Sequence, residues 1–364
     1  MRLTAALAIM SLPVAAQLSG GRWRTDLSKH SIDLKELKAG GPGKDGIPAL
    51  SHPRFVTTAE ARKWLDQKEP VIVVESGEVR AYPLEILIWH ELVNDSIGDL
   101  PILISYCPLC NSAVVFDRRI GGTTYDFGVS GMLRNSDMVM FDRQTESLWQ
   151  QITGEAIAGA LTGQQLKILP AETISFQVVL AQFPQAKVLS RETGYARAYG
   201  QNPYVGYESS GQPIFPVTRS RMPVPLMERI AAITETSKTK AYPFSLLRKA
   251  HVVEDAIDST RYVVLFEGGM RTAIDSARVA DSRDVGAVGV FSPELDGRAL
   301  SFQYKNGAIL DHETGSTWNV LGIATDGPLA GHRLKPFEHT VAFAFAWLAF
   351  RPETEIVRPN EPVR

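Results

Sequence analysis

The chain has 364 residues, 44% of them hydrophobic, enough to bury a sizeable core in two domains. Thirty-eight Lys and Arg stand against 40 Asp and Glu with no clustered basic stripe, which argues against a nucleic-acid partner. Twenty-nine glycines, 22 prolines and many short Val, Ile, Phe and Tyr runs favour a β-rich α+β architecture.

At the start, Arg2 precedes the apolar run LTAALAIMSLPVAA, which is too short to span a bilayer and ends in the small residues Val14-Ala15-Ala16. This predicts a signal peptide over 1–16, cut after Ala16, and an exported protein, periplasmic or secreted. No cysteine sits at the cleavage point, so a lipoprotein anchor is not indicated. The polar stretch QLSGGRWR then opens an N-terminal extension over 17–51.

From there the chain repeats itself. VIVVESGEVRAYPLEIL from Val71 aligns with AAITETSKTKAYPFSLL from Ala231 at an offset of 160, without a gap. DRQTESLWQQITG from Asp142 matches DHETGSTWNVLG from Asp311 at an offset of 169. Two tandem copies of one unit are therefore predicted, over 52–189 and 217–357, with a short tail over 358–364. Each unit reads as mostly antiparallel strands with two short helices. The first has a hairpin turning at Ser76-Gly77, a helix opened by Pro83 in its first turn, a hairpin at Asp142-Arg143-Gln144, and a closing apolar helix followed by a strand. The closing run of the second copy, VAFAFAWLAF, has ten residues from Val341 to Phe350 and reads as a buried helix, so no membrane span is expected. The connector over 190–216 is rich in Gly and Pro and carries Tyr195, Tyr199, Tyr204 and Tyr207. It reads either as a strap laid across the junction or as one wall of a groove.

Several stretches carry a resemblance: DGIPAL at Asp45, RAYPLEIL with WHELVND, YCPLCNSAVVFDR, and FGVSGMLRNSDMVMFDRQTESLW. They resemble the bacterial family catalogued as domain of unknown function 3179, over most of Asp45 to Tyr207. The resemblance implies an exported bacterial protein and supplies no activity. Asn111 stands where a glycine is commoner after the second cysteine.

Features in both copies, such as Asp-x-x-Thr-x-Ser-x-Trp, are expected to maintain the fold, whereas features of one copy are site candidates. Cys107 and Cys110, the only cysteines, have no counterpart in the second copy: at an offset of 160 they fall on Glu267 and Met270. His90 falls on Ala250. A disulfide closing so short a loop would stabilise by only about 2 kcal/mol, a poor staple, although an oxidising compartment keeps it a live state. The thioredoxin context is missing, because the pair opens no helix. The segment reads instead as strand, Cys-Pro-Leu-Cys-Asn turn, strand, a knuckle able to offer two thiolates to one transition metal (zinc, copper or iron), with Asn111 taking the left-handed conformation usual for glycine.

Further ligands would have to come from elsewhere. His90 is the first candidate, and Met138 and Met140 are soft-ligand candidates, although lone histidines and paired methionines are commonly core residues. The polar run Arg134, Asn135, Ser136 and Asp137 reads as a pocket wall or a solvated loop. If the thiols act with these neighbours, they are expected at a concave surface. No GxSxG, HExxH, phosphate-loop or dinucleotide motif is present, no catalytic residue is assigned, and whether the chain is an enzyme stays open. Two readings remain. One is an exported protein whose first copy holds a thiol site for metal binding or redox chemistry, meeting a small ligand or redox partner. The other is a non-catalytic binding or structural protein whose disulfide only fixes a turn.

Overall fold

The structure is a computed structural model and describes residues 23–218 and 222–358. The predicted signal over 1–16 lies outside these residues. Among the described residues there are five α-helices, none long and apolar enough to cross a membrane, and the rest of the regular structure is strand apart from three short 3-10 turns.

In the first half, Pro70–Ser76 and Glu78–Pro83 form the predicted hairpin about Gly77, whose φ of 74° is the left-handed geometry a tight turn needs. The helix Leu84–His90 follows. Pro83 sits one residue earlier than expected, as its extended N-cap rather than in its first turn, because it also ends the strand. The strands Leu92–Ile97, Leu100–Cys107 and Ser112–Asp117 then form an antiparallel meander. A second sheet is built on Phe127–Arg134, Asp137–Asp142 and Leu148–Gln150. The apolar helix Phe176–Gln182 closes the half, and Lys187–Leu189 returns to pair in parallel with Glu78–Pro83. The first half also holds a third helix not expected from the sequence, Thr58–Ala61, started by a Thr57/Glu60 capping box.

The second half has its own hairpin, Arg229–Glu235 with Lys238–Pro243, then the helix Phe244–Ala250 and the strands Val252–Ile257, Thr260–Glu267 and Ala287–Phe291. The run read as a buried helix supplies the strand Thr340–Phe343 and the helix Ala344–Phe350, whose first five residues are buried. Almost all pairings are antiparallel. The halves meet reciprocally: Thr340–Phe343 lies against Ser112–Asp117, and Glu172–Ser175 against Ala287–Phe291.

Some polar contacts recur in both halves. The Asp142 carboxylate accepts the Thr145 amide at 2.6 Å and the Trp149 indole N–H at 3.1 Å. Asp311 does the same for Thr314 at 2.6 Å and Trp318 at 2.9 Å. Each tryptophan is buried, so the carboxylate gives its indole donor a partner inside the core.

Candidate functional site

The turn between Leu100–Cys107 and Ser112–Asp117 is only four residues long, and two local facts shape it. Asn111 takes φ 49°, the left-handed conformation expected of it, so its side chain substitutes for a glycine. The Cys110 amide donates to the Cys107 carbonyl at 3.2 Å, and the Asn111 amide to that of Pro108 at 3.3 Å. This geometry turns both side chains the same way. Cys107 and Cys110 are free thiols 3.6 Å apart, not a disulfide.

Across from them stands the hairpin of the second sheet. Asn135 and Ser136, at φ 50° and 66°, form its two-residue turn, the doubly left-handed geometry that matches strand twist. For serine that backbone is unfavourable by about 1–2 kcal/mol. The turn delivers its neighbour: Asp137 brings a carboxylate oxygen to the thiols, so that all three ligand atoms lie within 4.8 Å of one another. Among the described residues no other group of His, Cys, Asp and Glu is so clustered. The Cys110 thiol donates to the Ser136 carbonyl at 3.4 Å, and the Met138 amide is directed at the Cys107 sulfur.

The three groups are sealed from solvent, not set in a concave surface as the sequence led us to expect. Burial pushes both thiols up, Cys110 well above the ordinary range, and raises Asp137 to about 6 against the pull of its hydrogen bonds from Gln150 and Ile152. Glu91, the residue ending the helix Leu84–His90, is raised to about 8 by burial and then by the Asp137 charge, and its own charge is felt at Cys107. Among the described residues, four polar atoms here are buried without a hydrogen-bond partner: Asp137 Oδ1, Ser136 Oγ, Tyr106 Oη and Gln150 Oε1. Buried polar groups are rarely left so, which makes the concentration notable.

The lid comes from elsewhere in the chain. Tyr207 in the connector donates its hydroxyl to the Leu109 carbonyl at 2.8 Å, inside the Cys-x-x-Cys turn, and the Phe343 amide of the second half donates to the Cys110 carbonyl at 2.8 Å. Glu208, next in the chain, is locked to the buried Arg229 by bonds of 2.7 and 2.9 Å. Burial alone would raise the Glu208 carboxyl, but the Arg229 charge and hydrogen bonds hold it at about 2.

The remaining sequence candidates lie as follows. His90 is fully buried with both ring nitrogens engaged, Nδ1 by the Pro48 carbonyl and Nε2 by the Tyr199 hydroxyl, each at 2.7 Å, and it is not in the thiol group. Met138 and Met140 join the apolar cluster that also contains both cysteines. Arg134 faces outward to Glu36 at 2.7 Å, and Asn135 accepts the Thr218 amide at 2.9 Å, so the polar run splits, with only Ser136 and Asp137 turned to the thiols. Sequence reasoning overlooked Glu91, although it adjoins His90 in WHELVND and falls on His251 at an offset of 160.

Residues 44–354 match the family model described as "Protein of unknown function (DUF3179)". No curated protein and no solved structure matches the chain.

Proposed function

The chain belongs to the DUF3179 family, and from its own geometry we propose that it is an exported metalloprotein in which Cys107, Cys110 and Asp137 hold one divalent ion, zinc by preference. The observation that carries this reading is the convergence of two thiols and a carboxylate within 4.8 Å in a sealed site. With metal–sulfur bonds of about 2.3 Å, the 3.6 Å sulfur separation subtends roughly 100° at a shared ion, close to tetrahedral. A mixed sulfur and oxygen set suits zinc better than copper(I), which favours soft ligands alone. The raised pKa values fit as well, since a bound dication stabilises the anionic forms that burial disfavours. The Met138 amide directed at Cys107 supplies the outer hydrogen bond that orients a ligand thiolate. Glu91, whose charge is felt at Cys107 and which itself feels that of Asp137, is our fourth ligand.

We read the second half as scaffold. Support for a duplicated unit comes from the matching Asp-Thr-Trp networks, the reciprocal packing of the halves, and pairs such as Tyr82 with Asp95 at 2.6 Å and Tyr242 with Asp255 at 2.7 Å. At the place of the thiol turn the second half instead runs a long loop from Gly268 to Gly286 between its strands. On this reading the site is peculiar to the first half. Export after cleavage near Ala16 is tested by sequencing the N-terminus of the periplasmic or secreted protein.

The metal test is elemental analysis and native mass spectrometry on full-length protein purified without chelator. One zinc per chain is expected, lost in Cys107→Ser and Asp137→Asn. Protein isolated as a metal-free Cys107–Cys110 disulfide that takes up no zinc after reduction would overturn the reading.

A further inference from the structure

A polar cavity of about 400 Å³ lies away from the thiols, between the loop after the helix Thr58–Ala61, the helix Leu84–His90 and the connector. Its wall carries two buried carboxyls, Glu69 and Glu85, beside the guanidinium of Arg191; Asp66 and Arg278 also line it but are paired elsewhere, with Arg271 at 3.3 Å and Asp281 at 3.7 Å. Arg191 is committed to Glu85 through a bidentate pair at 2.7 and 2.5 Å, with its flat face 4.6 Å from the Trp64 ring centroid. Glu69 is left over. Its Oε1 accepts the Asp66 amide at 3.2 Å, and its Oε2 is buried with no partner among the described residues. Gly200 crosses this wall with φ 83°, where a Cβ would come within 3.2 Å of Glu85 and 3.1 Å of Arg191, so the backbone lies close against the ion pair.

The outer wall has the opposite character. Arg62 and Lys63 are exposed at the mouth, and among the described residues neither has an ion-pair partner within 4.0 Å. The cavity therefore has an unpartnered carboxyl inside, at Glu69, and unpaired positive charge outside, at Arg62 and Lys63. A molecule carrying an ammonium at one end and a carboxylate at the other satisfies both.

We propose that this cavity binds a free α-amino acid, its ammonium on Glu69 and its carboxylate on Arg62 and Lys63. An orphaned buried carboxylate oxygen is costly, and a charged hydrogen-bond donor is the partner that repays most of that cost. The volume leaves room for a side chain beside Trp64 and Tyr199. Burial, then the neighbouring Glu85 charge, raise the Glu69 carboxyl to about 8, so at neutral pH the ligand-free group holds a proton that an arriving ammonium displaces.

The experiment is titration calorimetry on full-length protein at pH 7 with a panel of common α-amino acids, and with ethylamine and propionate as the two half-molecules of alanine. At least one amino acid should bind saturably, with a heat that varies with the buffer's ionisation enthalpy because a proton is released. Ethylamine and propionate should each bind at least tenfold more weakly. Glu69→Gln, which keeps the side chain's size, should weaken binding tenfold or more and abolish proton release while leaving the zinc content unchanged. Failure of every amino acid to saturate below about 10 mM, equal binding of propionate, or undiminished binding by Glu69→Gln would each overturn the proposal. None of these outcomes bears on the thiol site, which is read by metal content.

Discussion

Replacing Asp137 with Asn separates the cost of the site from its purpose. Asp137 is fully buried, and its pKa is raised from an ordinary 3.8 to about 6, so solvent screening discounts little of the shift. Two units at 1.36 kcal/mol each place the cost of keeping it ionised in the metal-free protein at about 3 kcal/mol. Asn keeps an acceptor for Gln150 and the Ile152 amide, now at 2.6 and 3.1 Å, and the charge assistance those two bonds lose is already contained in the shift. The expectation is that Asp137→Asn stabilises the metal-free protein by about 3 kcal/mol at pH 7.5. The sign follows from proton binding: between 3.8 and 6 the native carboxyl holds a proton the unfolded one has lost, so wild-type stability falls as pH rises through that window. The advantage of Asn is therefore full above about pH 6 and gone below about pH 4. Zinc at a thousandfold excess over its dissociation constant should stabilise wild type by about 4.1 kcal/mol and the variant hardly at all, reversing their order. Urea unfolding with chelator and with zinc reads all of this. A metal-free variant less stable than wild type at pH 7.5, or equal stabilisation of both by zinc, would refute the reasoning.

Other expectations concern the walls of the same site. Thiol reagents should label Cys107 and Cys110 slowly in the native state and rapidly in urea, because both are buried and held as thiols; fast native labelling counts against the sealed geometry. Ser136→Gly relieves a left-handed serine and removes an unpartnered hydroxyl, and should raise metal-free stability by about 1 kcal/mol in the same unfolding assay. Glu208→Gln leaves the buried Arg229 without its counter-charge and should destabilise by about 3–5 kcal/mol at pH 7. In the wild type that contribution is present above the unfolded carboxyl value of 4.5 and is lost as pH falls towards 2, so the gap between the two proteins should close under acid.

What the sequence disclosed and what it withheld divide along the range of the interactions. The hairpin at Ser76-Gly77, the left-handed Asn111 and the Asp142-Thr145-Trp149 network are decided within a few residues, and turn chemistry makes such features readable. Pro83 shows the margin of error: its fixed φ suits a helix start, but its place in the strand ladder moved the boundary by one position. The site asks for more. Cys107 and Asp137 lie in different sheets, and the polar run at Arg134–Asp137 gave no sign of which side chain turned inward, since that depends on the two-residue turn at Asn135-Ser136. Among 40 acidic residues, no local pattern marks the few that are buried. His90 shows the opposite failure. An imidazole near two cysteines in sequence is an attractive ligand, yet its nitrogens are taken by a carbonyl 42 residues before it and a hydroxyl 109 after it. The one-sidedness of the thiols between the aligned stretches was visible in the letters. That the carboxylate beside them is Asp137 follows only once two sheets and a tyrosine-bearing connector have folded over the turn.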